Sequence, residues 1–550
     1  MSGTDLNPQE AELPSRCIGV TGHGKAPKLV KTGGKTGCYL TLSHRWGRDT
    51  YLCRTTQDNY DERLKGKGMG NLPQLFQDAI LVAERLEIPY IWIDSICIIQ
   101  PRDGEKQSSD WLAESTKMAK YYQGSLFTIA ATSGSDFSGL FPERVVSERK
   151  IVRLPYRDAA GQQRGYFYLL YPLLDMEGEY QEAVHRSSLL TRGWVFQEWL
   201  LSRRVVCYTP IGTFFECQSS TPKTELGEAG SQDGGRNLIL KQYFDFGRAN
   251  DSLFWHEIVA AYSRLDLTDK GDRLKALSGV ASEFYQLLRN KWAASAALPG
   301  QQRDNAPDRY ISGIWQRDIH HGLLWKSADD QTSFPKSADF PTWSWASTQA
   351  QVIWRNTRGS CPKPRHPDLE IVRLRVGKLE EQRVPIPALG NDPLDVGKLV
   401  SGLEVNGITQ RIRVGAVWNA AADIPDYYYD QRMPQPEESL GLHEPKIVRQ
   451  IYHPSAPTIV CGWGSFEDSG FQPVLAFMGA EVMALLVSTI KKADGGLNAG
   501  YLTPWQPAYD VLFIRLAENN QYRRVGMGYL WGREMRKGFL DDPRRTLELI

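Results

Sequence analysis

A carboxylate one helical turn after a tryptophan is the pairing in this chain with the clearest chemical use. In Thr191-Arg192-Gly193-Trp194-Val195-Phe196-Gln197-Glu198-Trp199-Leu200-Leu201-Ser202, Trp194 and Glu198 stand four apart. Residues at that spacing share a helix face, so a flat apolar wall stands beside an acid, an arrangement suited to a ring-bearing ligand. The plain alternative is a core tryptophan with a surface glutamate, solvated or paired with Arg203 or Arg204. Asp94 closes the apolar run Tyr90-Ile91-Trp92-Ile93, and open α/β sheets bind ligands at the carboxyl ends of their strands. Its plain alternative is a cap for the following turn. Ser43, His44 and Arg45 follow another apolar run at the same edge. Backbone amides or Arg45 can meet phosphate there, or Trp46 simply packs the turn. Arg192 can pair with phosphate, with Asp94 or with Glu114.

Other reactive residue types carry less. Cys97 lies among apolar residues with no base nearby in sequence, which reads as a small buried hydrophobe rather than a nucleophile. His320 and His321 have no companion at ligand spacing, so no metal site is expected. Gly33-Gly34-Lys35-Thr36 resembles a phosphate loop, but Leu29 stands where its first glycine belongs, and the segment precedes a strand instead of following one.

The elements that must position these residues alternate. Tyr39–Ser43 reads as a buried strand. A helix over about Leu72–Leu86 carries Leu72, Leu75, Phe76, Ala79, Ile80, Ala83 and Leu86 on one face, and Asn71 with Gln74 resembles a capping box. Tyr90–Asp94 is a second strand. A helix with Trp111, Ser115, Met118, Ala119 and Tyr122 on one side follows, then a third strand at Leu126–Ala131. This order predicts a mainly parallel sheet with helices on both faces. Short strands such as Tyr166–Leu170 come next, then the Trp194/Glu198 helix and strands at Arg204–Tyr208 and Thr213–Cys217. Ser219–Arg236 has linker composition. Two helices follow, one lined by Trp255, Ile258, Val259, Tyr262 and Leu265, the other by Leu274 through Leu288. Pro341–Ser347 reads as a short strand or packed turn with Trp343 and Trp345 in the core. From Asp368 onward, short alternating runs between Gly and Pro turns predict a β-rich region.

A chain of 550 residues exceeds one ordinary core, so about two to four domains are expected. Its 65 basic and 64 acidic residues nearly cancel, which leaves no electrostatic footprint for nucleic acid or an anionic membrane. The eight cysteines form no Cys-x-x-Cys pair and no zinc spacing. With a polar, acidic start and no secretory signal, they read as reduced thiols of a soluble protein, placed here in the cytoplasm. The longest uncharged apolar run, Val482–Ile490, falls far short of the roughly 20 residues that span a bilayer.

Four ordered segments are similar to the HET (heterokaryon incompatibility) domain of filamentous fungi. They are Tyr39–Gly47, Ile91–Gln100, the helix with Trp111, Glu114, Met118 and Tyr122, and Arg192–Ser202. Downstream, Tyr262-Ser263-Arg264, Asp272-Arg273-Leu274, Gly313-Ile314-Trp315, Pro341–Ser347 and Tyr522–Gly526 resemble the region that commonly follows this domain. Ile99 departs from the asparagine common in the family, and His44 replaces an aromatic.

The resemblance implies a role in fungal nonself recognition, in which such proteins help trigger growth arrest and death of the fused cell. The HET domain is in turn distantly similar to the TIR fold, a flavodoxin-like sheet. Leu42-Ser43-His44-Arg45 resembles the first strand and loop of TIR domains. Trp194 with Glu198 resembles the tryptophan and glutamate of those that cleave NAD. That likeness implies Glu198 as the catalytic carboxylate, Ser43, His44, Arg45, Asp94, Arg192 and Trp194 as ligand-binding residues, NAD or a related nucleotide as substrate, and no cofactor or metal. The other function that it leaves open is a non-catalytic signalling module acting by self-association or with other incompatibility proteins. The expected domains are an extension at 1–38, a TIR-like HET domain at 39–218, a linker at 219–250, a helical and aromatic-rich segment at 251–347 and a β-rich region at 348–550.

Overall fold

The computed structural model describes residues 10–20, 26–105, 107–133, 138–143, 150–171, 176–218, 220–224, 227–228, 252–296, 308–328, 339–354, 365–376, 382–384, 400–417, 448–467, 479–490 and 508–550. The chain divides into two compact units, one of residues 1–249 with 265–267, the other of 250–264 with 268–550.

The first unit is built on a nine-stranded sheet. Its strands are β1 (Arg16–Gly19), β2 (Lys28–Lys31), β3 (Tyr39–Ser43), β4 (Tyr90–Ile93), β5 (Thr128–Ala130), β6 (Arg204–Thr209), β7 (Gly212–Cys217), β8 (Ser220–Thr224) and β9 (Gly227–Glu228), in the spatial order β9-β8-β7-β6-β5-β3-β4-β1-β2. The three expected strands lie side by side: β3 pairs parallel with β4 and with β5, and β6 pairs parallel with β5. Every residue of β3 and β5 is buried, and their polar members Thr41, Ser43 and Thr128 are hydrogen-bonded to other side chains. The sheet as a whole is mixed rather than mainly parallel, because β1, β2, β7, β8 and β9 all add antiparallel.

Strands also form in the segments on either side of residues 39–218. The 1–38 extension contributes β1 and β2, whose four-residue runs are too short to show a period. Gly33 and Gly34, which only resemble part of a phosphate loop, make the turn after β2, with φ of 65° and 76°. The 219–250 linker begins with β8 and β9, while residues 219, 225–226 and 229–250 lie outside the described residues.

Helix α1 (Gln74–Arg85) starts later than expected, behind Pro73, with no side-chain cap. Gln74 donates to Asp78 Oδ1 at 2.7 Å rather than closing a capping box. The expected single helix after it is two, α2 (Ser109–Ser115) and α3 (Met118–Gly124), broken at residues 116–117. Trp92 of β4 is fully buried and meets the rings of Tyr121 and Tyr122 at 5.4 and 5.5 Å. Helix α4 (Gly193–Leu201) is buried from Val195 to Leu201, as expected of a helix apolar nearly all round.

The second unit carries α5 (Ser252–Ser263), α6 (Lys275–Ala296) and, in its later part, an eleven-stranded sheet. That sheet is antiparallel except where Gln521–Leu530 runs parallel to Arg545–Leu549, in accord with the β-rich reading. The downstream family-like segments converge. Tyr262 donates to the Arg273 carbonyl at 2.7 Å, Trp345 Nε1 to the Gly313 carbonyl at 2.8 Å, and the Arg524 amide to Thr342 Oγ1 at 3.0 Å. Gly313 is required: its φ is 101° and a Cβ would lie 2.5 Å from Trp345 Nε1. Trp343 and Trp345 are fully buried around a short 3-10 turn at Trp345–Ser347.

Arg524, also fully buried, pairs with Glu467, donates to the Trp325 carbonyl and stacks 3.6 Å from the Trp325 ring. Removing one partner of such a pair strands a buried charge, so Glu467→Gln is expected to destabilise the second unit by about 3–5 kcal/mol. Calorimetric unfolding checks this. A loss under about 1 kcal/mol would mean that the pair is solvated like a surface one.

Candidate functional site

Four parallel strands ending at one edge bring distant polar residues together there. Ser43 is the last residue of β3, and its hydroxyl donates to Glu198 Oε2 at 2.6 Å. Glu198 is only 5% exposed, so the alternative of a solvated or Arg203/Arg204-paired glutamate does not hold. Asp94 follows β4 directly. Its Oδ1 accepts from the Ser95 amide at 2.6 Å and its Oδ2 from Trp46 Nε1 at 2.9 Å, while His44 Nδ1 lies 3.8 Å from Oδ1. Asp94 therefore caps the turn after its strand and also ties down the Ser43–Gly47 loop, and its charge acts on Glu198.

Helix α4 is set against this edge by several contacts. Ser202 bonds to the Glu198 carbonyl and to Thr128 of β5, which in turn lies 2.7 Å from Thr41 Oγ1 of β3. At the other end, the Gly193 amide donates to the Asp266 carbonyl at 2.7 Å. A Cβ on Gly193 would fall 2.7 Å from Leu267, which explains the glycine beside Arg192. Arg192 donates to the His44 carbonyl at 3.0 Å. Glu114 bonds instead to Ser15, Lys117 and Tyr121.

The expected residues do not all share one environment. Ser43, Asp94, Arg192 and Glu198 interact directly or through their charges. His44 is buried beside Phe76, ring to ring at 4.9 Å. Arg45 is exposed. Trp194 is half-buried and meets the edge of Trp111 at 5.9 Å. Sequence reasoning placed Tyr122 on a helix face and in a family motif but not in the site. Its side chain is fully buried and its hydroxyl donates to the Leu42 carbonyl at 3.4 Å, near enough to Glu198 to act on its carboxyl. The aromatic stripe shared with Met118 was the available signal.

Burial pushes the Glu198 carboxyl up to about 7, and the neighbouring Asp94 charge adds to this. The Ser43 hydrogen bond, the Arg192 charge and the Tyr122 hydroxyl pull the other way. Near neutral pH the group therefore exchanges a proton readily, the condition for general acid or base work. Beside it, Ser43, Thr128, Ala130, Thr132, Val205 and Cys207 help line a small apolar hollow of about 10 Å³, room for about one water and far below the roughly 300–1,000 Å³ of typical small-molecule sites. Burial drives the Cys97 thiol up to about 12, in keeping with a buried hydrophobe, and none of the described cysteines forms a disulfide. In the second unit, folding brings His256 and Asp318 beside His321.

The family model described as heterokaryon incompatibility protein (HET) matches residues 39–198, a span that begins with β3 and ends at Glu198. This part of the chain is a HET domain. No curated protein and no solved structure matches the chain. No helix among the described residues is long and apolar enough to cross a membrane.

The raised Glu198 carboxyl has a stability signature with a definite sign. Between its unfolded value of 4.5 and about 7, the native state holds the proton and the unfolded state does not. Unfolding free energy from this group therefore falls as pH rises through that window and is level above it. Urea unfolding of wild type against Glu198→Gln, followed on the first unit, should show wild type losing about 2–3 kcal/mol relative to the variant between roughly pH 5 and 8. A flat difference would mean that Glu198 is ionised throughout.

Proposed function

We propose that this protein is an effector of heterokaryon incompatibility that triggers programmed cell death, with Glu198 as the carboxylate that cleaves NAD or a related nucleotide. The HET domain points to involvement in heterokaryon incompatibility. One observation carries the chemistry: Glu198 is a buried carboxylate at the carboxyl edge of a parallel strand set, hydrogen-bonded to Ser43 and holding its proton up to about 7. The order of the four parallel strands supports a TIR-like, flavodoxin-like reading. In chain sequence they stand second, first, third, fourth across the sheet, and such sheets bind nucleotides beside the first strand, where the order reverses.

In this reaction the bond between ribose C1′ and the nicotinamide nitrogen breaks, and its electron pair leaves with nicotinamide. The ribosyl group develops oxocarbenium charge, which ionised Glu198 stabilises. Water then adds to C1′ and releases its proton to the carboxylate or to solvent. Ser43 holds the carboxyl oriented, Arg192 tempers its basicity, and the edge offers Arg45 for phosphate. The hollow is far too small for a nucleotide, so substrate enters only after this edge opens. The Arg192 contact to the His44 carbonyl is one that such opening has to break. Self-association, or contact with another incompatibility protein in the cytoplasm, is the trigger consistent with that need.

A second reading, assembly without catalysis, has its own support. The hairpin of Lys150–Arg157 and Gln163–Tyr171 pairs with no other strand among the described residues. Leu154 stands opposite Phe167, and with Val152 and Tyr156 they form an exposed apolar face, the kind of surface that marks protein contacts.

Purified full-length protein incubated with NAD at rising protein concentration separates the two. Wild type is expected to release nicotinamide, and Glu198→Gln to be about a hundred- to a thousandfold slower. Undiminished release by the folded variant would remove Glu198 from the chemistry. Cell killing that survives Glu198→Gln but is lost when Leu154 and Phe167 are made polar would establish the assembly reading instead.

A further inference from the structure

We propose that His256, Asp318 and His321 in the second unit form a binding site for a divalent first-row transition ion, Zn²⁺ being the natural probe. His256 lies on α5. Asp318 ends the short turn Gln316–Asp318, and His321 sits three residues on, in α7 (Ile319–Gly322). Between His256 and the other two stand more than sixty residues of chain, so no local spacing announces the group.

The geometry is that of ligands around one ion. His256 Nε2 is 3.0 Å from Asp318 Oδ2, and His321 Nδ1 is 4.0 Å from Asp318 Oδ1. One ligand atom from each residue lies within 4.8 Å of the other two. A tetrahedral ion about 2.0–2.2 Å from each donor needs donors roughly 3.4 Å apart, and the observed separations bracket that value. The imidazole rings stand edge to face at 4.7 Å, so both present nitrogen toward the same carboxylate.

The surroundings suit an ion held at low dielectric. The His256 side chain is 6% exposed, that of His321 12% and that of Asp318 20%, so the carboxylate side is the way in and leaves room for a water as fourth ligand. Trp354 stacks flat on His256 at 4.3 Å and donates its indole hydrogen to the Gly322 carbonyl at 3.2 Å. That tryptophan holds the imidazole plane and screens the back of the site. Two nitrogen donors with one oxygen favour Zn²⁺, Fe²⁺ or Co²⁺ over Mg²⁺ and Ca²⁺, which seek all-oxygen shells. The bound ion would pin α5 to the 316–322 segment. The proposal does not depend on the Glu198 chemistry.

The rival account is a carboxylate accepting ordinary hydrogen bonds from two imidazoles, and Asp318→Asn separates the two because an amide still accepts a hydrogen bond but is a poor ligand. Chelator-treated full-length protein is titrated with Co²⁺ and then Zn²⁺, in wild type, Asp318→Asn and His321→Ala. Wild type is expected to bind one more equivalent than either variant. The extra Co²⁺ should give visible d–d bands without the sulfur charge-transfer absorption that a cysteine site would show, and Zn²⁺ should displace it and raise the melting temperature. Each variant, folded by circular dichroism, should bind that ion roughly 100-fold more weakly or worse, since even losing an outer-shell partner typically costs 10–100-fold. Equal stoichiometry and affinity in all three proteins, or a thermal shift that Asp318→Asn retains, would overturn the site.

Discussion

The hydrogen bond from Ser43 to a buried Glu198 is the constraint around which the first unit is arranged. A carboxyl enclosed in protein must either give up its charge or find donors and positive charge. Here it does some of each. The strand end supplies the Ser43 donor and the residue before α4 supplies the Arg192 charge, while Tyr122 of α3 also favours the ionised form. Those groups come from chain positions far apart, so they meet only if β3, β4 and β5 end at one edge with α4 packed across them. The Thr41–Thr128–Ser202 hydroxyl contacts and the glycine at 193 serve that packing.

Seen this way, the family-like segments are less a list of reactive residues than a mutual support. Asp94 holds the Trp46 indole and raises the proton affinity of Glu198. Arg192 secures the loop by the His44 carbonyl while lowering that affinity. The opposing influences leave the carboxyl near the point where a neutral solution can tip it either way. That poise serves catalysis, but it also makes the closed edge easy to disturb, since ionising Glu198 weakens the unit that buries it.

The sheet core was legible because β3, β4 and β5 are short, mostly apolar runs with helical patterns between them. β1 and β2 escaped because four residues show no period, and β8 and β9 because their Ser, Thr and Gly content reads as linker. One helix was expected where two occur, since a face can look continuous across a break at 116–117. In the site, spacing along α4 picked out Glu198, while its partners could be found only by order along strand ends and by family likeness. Tyr122 was visible as an aromatic on a helix, without any sign that its hydroxyl turns to the carboxyl. The His256, Asp318 and His321 group lay beyond sequence reasoning, because contact across more than sixty residues is set by tertiary packing alone.

The central claim is that Glu198 is a buried carboxyl poised near neutrality by its neighbours. Its titration can be read by carboxyl-selective carbon-13 labelling of glutamate in the full-length protein, with the Glu198→Gln spectrum subtracted to assign the signal. The account predicts a midpoint of about 7, moving higher in Ser43→Ala, because loss of the hydroxyl removes a donor that favours the charged form. A midpoint near the ordinary 4.5, or one that Ser43→Ala leaves in place, would contradict it.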